Sequence, residues 1–340
     1  MAWLGHDEPP HGQDTRNKNL MFRNNKKISR RRNLLIGALL AAGIFAARPD
    51  LAYTPPFNLE EVTPGNYVHL GKQVHFEDHD HDDIANIGFI VGDKCVAVID
   101  TGGSVTVGEA LRDAIHEKTK LPVCYVINTH VHPDHILGDV AFRGDKPVFV
   151  GSATLPPAVA ANRDYFLKQF GKDLGTDPKP DEIIAPDKLV KIGKPMELDL
   201  GGRKLLLTAY PPAHTTADLT VLDESTDTLW LGDLLFIERI PAVDGSVKGW
   251  LKVIDSLEKQ KHKVVIPGHG PVTHDMQAAL ADERRYLQTL VDGVRKVIAA
   301  GGTIEDAMDT VGAKEKLRWK LWDQHHRLNV SRTFTQLEWE

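Results

Sequence analysis

The densest group of potential metal ligands in this 340-residue sequence lies between residues 130 and 135. Three histidines and one aspartate occur within six residues, in the order His130, His132, Asp134 and His135. Imidazole and carboxylate are the ligands that zinc and similar first-row metals prefer. A single histidine on an apolar face is usually structural, but four ligand-type residues at this spacing are difficult to explain by packing. The segment therefore predicts a metal site.

Three further ligand-type residues occur at separate places later in the chain. His214 follows two prolines, Asp233 follows a short apolar run, and His269 follows Pro267-Gly268. Each comes after a segment that favours a strand, and the ends of strands can bring distant side chains to one point. Because a first-row metal needs more ligands than one loop supplies, we expect these residues to complete the site.

Hydrophobic periodicity predicts the elements that must position these residues. The expected strands cover residues 86–91, 95–99, 123–127, 148–150, 205–208, 219–222, 228–231 and 264–266. The expected helices cover residues 104–119, 155–170, 250–261 and 275–326, with a long surface loop at 172–187. Strands and helices that alternate in this way are typical of a layered α/β fold with both sheet faces covered.

The composition is that of an ordinary globular protein, with 41% hydrophobic and 26% charged residues, which excludes a disordered or fibrous chain. Two cysteines are too few for a disulfide scaffold or a thiolate zinc cluster. We expect Cys95 and Cys124 to be buried free thiols. A disulfide between them is the alternative if their strands are adjacent and the compartment is oxidising.

The N-terminal 52 residues have the layout of an export signal. Arginines at 30–32 precede an apolar run at 34–47, which is shorter than the ~20 residues that span a bilayer. The paired arginines resemble a twin-arginine signal, although the usual aromatic residue after them and a clean Ala-x-Ala site are missing. We therefore predict a periplasmic protein, and an uncleaved membrane anchor is the alternative.

The charge of the remaining chain argues against a nucleic-acid partner. Residues 1–52 hold nine Lys/Arg and four Asp/Glu, which leaves 32 basic and 43 acidic residues in 53–340 and a net charge of −11. A surface of this sign repels a phosphate backbone. We expect a small-molecule substrate instead.

Taken together, the motifs resemble those of the metallo-β-lactamase superfamily. Asp100-Thr101-Gly102 matches its first motif, and the seven ligand-type residues follow in the order of the family. The resemblance implies an α/β fold, a four-layer αββα sandwich with extra C-terminal helices. It also implies a division into an N-terminal extension and export signal (1–52), a metallo-β-lactamase-fold domain (53–275) and a helical extension packed on that domain (276–340).

The resemblance further implies two zinc ions per chain, with iron less favoured. The ligands of the first ion would be His130, His132 and His214, and those of the second Asp134, His135 and His269. Asp233 would bridge the two ions, and Asp100 would orient a ligand histidine. Asp134, as both a ligand and a neighbour of the attacking hydroxide, would handle the proton in catalysis.

Candidate substrate contacts are Tyr210, Glu238 and Arg239, which lie close in sequence to the ligands. Each has a structural alternative, a core tyrosine for the first and a surface ion pair for the other two. His325 and His326 are expected to be structural or exposed, although one of them could reach the rim of the site. The acidic, histidine-rich segment 75–83 is expected to be a solvated loop.

The reaction that the resemblance implies is hydrolysis of a carbonyl-type bond, in a thioester, ester, lactone or amide, by a hydroxide that bridges two metals. Three alternatives stay open. A β-lactam hydrolase is disfavoured because class B lactamases generally carry Cys or Ser at the position of Asp233. An iron-dependent persulfide oxygenase would use overlapping ligands, and a non-catalytic accessory protein would use the metal as a structural element.

Three segments show a closer resemblance to exported zinc hydrolases of the SoxH-like group. They are residues 83–92, 236–246 and 337–340. Proteins of this group accompany periplasmic quinoprotein and sulfur-oxidation systems, so the resemblance implies a link to such enzymes as partners. It does not specify the substrate or the oligomeric state.

Overall fold

Two β-sheets form the centre of the fold in the residues that the computed structural model describes, 57–75, 77–175 and 177–340. The predicted export signal lies outside these residues. The first sheet has seven strands in sequential order, antiparallel from β1 to β4 and parallel from β4 to β7. They are β1 (Glu60–Thr63), β2 (Asn66–His69), β3 (Ile87–Val91), β4 (Val96–Ile99), β5 (Val123–Ile127), β6 (Val148–Ser152) and β7 (Lys188–Val190).

The second sheet has five strands in the order β12-β11-β10-β9-β8. Its strands are β8 (Met196–Asp199), β9 (Lys204–Ala209), β10 (Leu219–Asp223), β11 (Thr228–Phe236) and β12 (Val264–His269). Only β11 and β12 pair in parallel. Every residue of β11 is buried, so this strand lies in the interior of the sandwich with neighbours on both faces.

The sheets and helices stack in four layers. Apolar side chains from the two sheets, including Ile99 and Ile127 of the first and Leu207 of the second, share one buried cluster. A separate cluster packs the first helix against the outer face of the first sheet, and another packs the later helices against the outer face of the second. The predicted αββα sandwich with extra C-terminal helices is therefore confirmed.

Seven α-helices lie in the described residues. They are α1 (Val105–Lys118), α2 (Pro133–Ile136), α3 (Leu155–Phe170), α4 (Val247–Leu257), α5 (Met276–Ala299), α6 (Ile304–Thr310) and α7 (Trp322–Leu337). Val107, Leu111 and Ile115 form a buried apolar stripe on α1, and Ser104 caps its first turn by accepting a hydrogen bond from the amide of Val107. None of these helices combines the length and the apolar character required to cross a membrane.

The region 275–326, predicted to be helical, is helical but interrupted. The first interruption follows α5, at Gly301 and Gly302. Gly301 has a φ of +75°, in the left-handed region, and Gly302 packs closely on Val297, so the helical path ends there. A short α6 and a 3₁₀ segment follow, and α7 then continues beyond the predicted end. The short strands β1, β2, β7 and β8 were not predicted, because three or four residues are too few for a period of two to stand out.

The prediction that the two cysteines are free thiols is also wrong. Cys95 and Cys124 form a disulfide, with their Cα atoms 5.7 Å apart. The parallel pairing of β4 and β5 places Val96 opposite Val123, and this register sets the two neighbouring cysteines side by side. The disulfide therefore joins the beginnings of two strands whose opposite ends lead to Asp100 and His130.

Removing the disulfide should destabilise the protein. The two cysteines are 29 residues apart in sequence, and cross-linking a loop of that size is worth about 3.6 kcal/mol in the chain-entropy model. We expect the Cys95→Ala, Cys124→Ala double variant to lose about that much free energy of unfolding in a urea titration. The wild type in reductant should match the variant, and equal midpoints for the oxidised wild type and the variant would contradict the prediction.

Candidate metal centre

The predicted ligands come from four parts of the fold and meet at one edge of the sandwich. His130 and His132 lie in the loop after β5, and Asp134 and His135 lie in the short helix α2 that follows. The other three ligands are His214 between β9 and β10, Asp233 within β11 and His269 at the end of β12. Strands of both sheets, and the loops and short helix that follow them, thus bring all seven side chains to the same place.

The seven side chains form two groups of ligand atoms. In the first group His130, His132, His214 and Asp233 each offer one atom, and in the second Asp134, His135 and His269 do so; within each group these atoms lie within 4.8 Å of one another. A spacing of this order lets a single cation contact every member of a group after small side-chain adjustments. The membership of the two groups follows the division that the sequence resemblance implies.

Asp233 lies between the two groups. Its Oδ2 atom is 3.2 Å from Nε2 of His214 and 3.4 Å from Nε2 of His269. Its Oδ1 atom is 3.2 Å from Nε2 of His135. One carboxylate is therefore in direct contact with histidines of both groups, which is the position required of a bridging ligand.

The outer ring nitrogen of each of three histidines has a hydrogen-bond acceptor. Nδ1 of His135 is 2.8 Å from Oδ2 of Asp100, Nδ1 of His214 is 2.7 Å from the carbonyl oxygen of Ala242, and Nδ1 of His269 is 2.7 Å from that of Ile84. Each bond fixes the ring so that Nε2 faces the ligand group. Partners of this kind select the tautomer that leaves the inner nitrogen free to bind a metal.

His132 is oriented the other way round. Its Nδ1 is 3.0 Å from Nε2 of His214, inside the ligand group, and its Nε2 is 3.2 Å from Oδ2 of Asp244. Nη1 of Arg332 lies 3.3 Å from the other oxygen of Asp244. Although burial acts to raise it, the hydrogen bond from His132 and the charges of His132 and Arg332 hold the pKa of Asp244 well below its usual value.

Asp244 is a site residue that sequence reasoning missed. It lies 112 residues after His132, in a loop before α4 with no ligand motif around it. Its segment, 236–246, was singled out only through the resemblance to the SoxH-like group. A lone aspartate in a loop carries no signal of a contact so distant in sequence.

The site fits a bound cation. Within the described residues, three buried atoms that face the ligand groups have no hydrogen-bond partner, namely Nε2 of His130, Nε2 of His135 and Oδ1 of Asp233. Buried polar atoms without partners are costly and rare, whereas two metal ions, one at each ligand group, would satisfy all three. Burial acts to lower the pKa of His135, but the negative charges of Asp233, Asp100 and Asp134 keep it well above its usual value. The same negative charge would attract a metal cation.

Two glycines make room for the bridging carboxylate. A Cβ atom on Gly268 would lie 1.9 Å from Oδ1 of Asp233, and one on Gly232 would lie 2.7 Å from the side chain of Thr129. Gly232 also has a φ of +51°, in the left-handed region. The glycines beside Asp233 and His269 are thus steric requirements of the site.

A buried carboxyl group supports the loop that carries Asp100. Oδ1 of Asp139 accepts hydrogen bonds from Oγ1 of Thr101 at 2.9 Å and from Nδ2 of Asn128 at 3.0 Å. Burial raises the pKa of Asp139 to about 8, so the group is largely protonated at neutral pH. Asp100 itself accepts from the amide and hydroxyl of Thr129, and this network fixes its position beside His135.

The structure separates the three candidate substrate contacts. Tyr210 packs in the cluster on the outer face of the second sheet, where its hydroxyl is 3.3 Å from Oγ1 of Thr220, so it is a core tyrosine. Glu238 forms a surface ion pair with Lys320 rather than with Arg239. Arg239 is also buried, 5% exposed, but it interacts electrostatically with Asp134 and Asp233 of the ligand groups.

A family model matches more than half of the chain. The model is that of the metallo-beta-lactamase superfamily, and it matches residues 82–269. That range includes every predicted ligand and ends at His269. It stops before α5, so the C-terminal helices lie beyond the matched range.

Solved structures share the fold. A metallo-beta-lactamase from Pontibacter korlensis has a TM-score of 0.54 and 20% identity, covering 68% of this chain and 98% of that one. The stereoselective inverting sec-alkylsulfatase Pisa1 from Pseudomonas sp. has a TM-score of 0.63 and 19% identity, covering 82% of this chain and 50% of that one. At these identities the likeness concerns the fold alone.

A curated relative is the uncharacterized protein YobT of Bacillus subtilis (strain 168). It is 27% identical over 129 residues. The match covers 37% of this chain and spans about half, 52%, of the length of that relative.

Replacing Gly268 by alanine should displace the bridging carboxylate and lower the metal content. The added methyl group would occupy the place of Oδ1 of Asp233. We expect Gly268→Ala to retain well under half of the wild-type metal by elemental analysis. Gly144→Ala is the matched control, because a Cβ atom there meets nothing within 4 Å. Full metal content in Gly268→Ala would contradict the steric argument.

Replacing Asp244 by alanine should weaken metal binding at the first ligand group only. His132 would lose the partner that fixes its ring, and loss of such partners typically costs roughly 10–100-fold in metal affinity. A titration with a competing chelator would measure both affinities. Asp255→Ala is the control, since Asp255 pairs with Arg284 at the surface. Unchanged affinity at both groups in Asp244→Ala would show that Asp244 does not orient His132.

Proposed function

Because this chain belongs to the metallo-beta-lactamase superfamily, and is thereby a metal-dependent hydrolase, we propose that it is an exported enzyme that uses two zinc ions to cleave a carbonyl-type bond. The bond would be that of a thioester, ester, lactone or amide. The observation that carries the proposal is the position of Asp233, whose two oxygens contact histidines of both ligand groups. A single-metal site would not require a carboxylate placed in this way.

The residues of the chain would divide the work as follows. When bound, two zinc ions would lower the pKa of a shared water to roughly 7 and so supply an attacking hydroxide. Asp134 has a side chain that is 15% exposed, the largest exposed fraction among the carboxylate ligands. Its Oδ2 lies 3.4 Å from Nε2 of His269. We assign Asp134 the transfer of the proton from the attacking water toward the leaving group.

The identity of the bridging residue supports a carbonyl hydrolase over a dedicated β-lactamase. An aspartate at position 233 is the pattern that the sequence resemblance associates with thioesterases and lactonases rather than with class B lactamases. Two groups of ligand atoms, which include His135 and His269, also favour the hydrolase over an oxygenase with one iron. These rival functions make different predictions for metal content and substrate.

The disulfide supports the proposal of export. Disulfides form and persist in oxidising compartments such as the bacterial periplasm and are rare in the cytosol. Cys95 and Cys124 are bonded, which agrees with the signal-like composition of residues 1–52. We keep the link to periplasmic quinoprotein or sulfur-oxidation enzymes as a proposal that rests on the sequence resemblance to the SoxH-like group.

Metal content and hydrolysis together test the function. We expect about two zinc ions per chain and turnover of at least one substrate in a panel of thioesters, lactones, esters and β-lactams. A secondary alkyl sulfate joins the panel because a sec-alkylsulfatase shares the fold over 82% of the chain. About one iron per chain with oxygen uptake on a persulfide would overturn the hydrolase proposal.

A histidine pair provides the matched variants for this test. His269→Ala should lower the metal content to about one ion per chain and abolish turnover, because His269 belongs to the second ligand group. His274→Ala is the control, because His274 is exposed and its Nδ1 contacts only the carbonyl oxygen of Lys263. Full turnover by His269→Ala would mean that the second metal has no part in the reaction.

A further inference from the structure

An arginine next to the metal centre is buried without an ion partner. Arg239 is 5% exposed, and its Nη1 atom is buried with no hydrogen-bond acceptor in the described part of the chain. The ion pairs of the described residues include none to this guanidinium within 4.0 Å. Buried charges in proteins are normally paired, because burying one without a partner costs several kcal/mol. An unpaired buried guanidinium therefore indicates that its partner is a ligand.

The backbone around Arg239 is held firmly, so this position is not accidental. Glu238, the preceding residue, has a φ of +65° in the left-handed region. The amide of Lys320 donates to the carbonyl oxygen of Glu238 at 2.7 Å, and the amide of Ile240 donates to that of Lys320 at 3.1 Å. This bridge joins the segment after β11 to the segment before α7 and turns the side chain of Arg239 inward.

The helix α7 brings a second unpartnered group to the same place. His325 is 9% exposed, and its Nε2 atom is buried without a partner. Burial and the nearby charge of Arg239 lower the pKa of His325 to about 3, so the ring is neutral at pH 7 and has one N–H to donate. His325 also interacts electrostatically with His269 of the second ligand group, and its ring centroid is 5.2 Å from that of His75.

The charge balance of this region calls for an anion once the metals are bound. The carboxylates of Asp134 and Asp233 now partly offset the charge of Arg239. Two divalent cations would neutralise both carboxylates and leave Arg239 beside an electropositive centre. Asp134 and Asp233 are the only carboxylates of the described residues whose charges act on Arg239. Asp100 is engaged with Thr129 and His135, Asp244 with His132 and Arg332, and Glu283 with the amide of Phe236.

We propose that Arg239 and His325 bind an oxyanion group of the substrate, a carboxylate or a sulfo group, on the side of the metal centre formed by Asp134 and His269. The planar guanidinium would form paired hydrogen bonds with two oxygens of the anion, and the imidazole of His325 would donate a third. The substrate would thus be an acid whose scissile bond lies next to its anionic group. The part of this inference that concerns the reaction rests on the proposed function, whereas the part that concerns binding of the anion does not.

Anion binding can be measured without turnover. The zinc-loaded full chain is titrated with propanoate and with ethanesulfonate at constant ionic strength, and the melting temperature gives an apparent dissociation constant. We expect at least one probe to stabilise the wild type, and the better probe identifies the preferred group. In Arg239→Met the apparent dissociation constant for that probe should rise about tenfold or more, at unchanged zinc content.

Lys320→Met is the matched control, because it removes a positive charge from the same bridge at an exposed position, and it should bind the anion as the wild type does. Without the anion, Arg239→Met should melt at the same temperature as the wild type or higher, since an unpaired buried charge is lost. If Arg239→Met does not fold, Arg239→Lys decides: it retains the charge but not the planar fork, and it should bind the anion severalfold more weakly.

A kinetic test compares two substrates that are identical except that one carries a carboxylate group where the other carries the corresponding neutral amide. Arg239→Met should lower kcat/KM for the anionic substrate about tenfold or more and leave that for the neutral one unchanged. Anion binding that depends on Arg239 in a protein without turnover would support this inference and overturn the proposed function. No stabilisation of the wild type by either probe, or equal affinity in wild type and Arg239→Met, would overturn the inference.

Discussion

The burial of one carboxylate, that of Asp233, is the constraint on which the rest of the site depends. A charge in the middle of a fully buried strand is tolerated only if its surroundings compensate for it. Here the compensation comes from the inner nitrogens of His135, His214 and His269, which lie 3.2–3.4 Å from its oxygens. Those histidines are in turn fixed by acceptors on their outer faces. The geometry of both ligand groups therefore follows from the need to accommodate a single side chain.

The sequence was informative where chemistry depends on neighbours along the chain. The cluster at 130–135 and the ligand-type residues after later strands sufficed to predict a metal site, and alternating hydrophobic runs predicted the layered fold. The division into two ligand groups came from the resemblance to the metallo-β-lactamase superfamily. Prediction failed where the contact was distant in sequence or the element was short. Nothing local marks Asp244 as the partner of His132, and the pairing of Cys95 with Cys124 depends on the register of β4 and β5.

The surroundings of Arg239 show a second reason for failure. The charged dipeptide Glu238-Arg239 predicts substrate contacts or, alternatively, a surface ion pair, but its two side chains have different surroundings, and Glu238 adopts a positive φ angle. One forms a surface pair with Lys320, and the other is buried beside the ligands. The helix α7 was expected to end near residue 326, but it extends to Leu337, and its first turn contributes His325. Backbone conformation and tertiary packing, rather than residue type, decided the location of these groups.

The bridge between Glu238–Ile240 and Lys320 has a consequence for how this protein could diverge. The family model ends at His269, so the ligands lie in the part of the chain that relatives share, whereas Lys320 and His325 lie outside it. Under the proposed role of His325 in anion binding, mutations in the later helices would alter substrate binding without changing a metal ligand. Part of the substrate selection would then be encoded at a different end of the gene from the metal ligands.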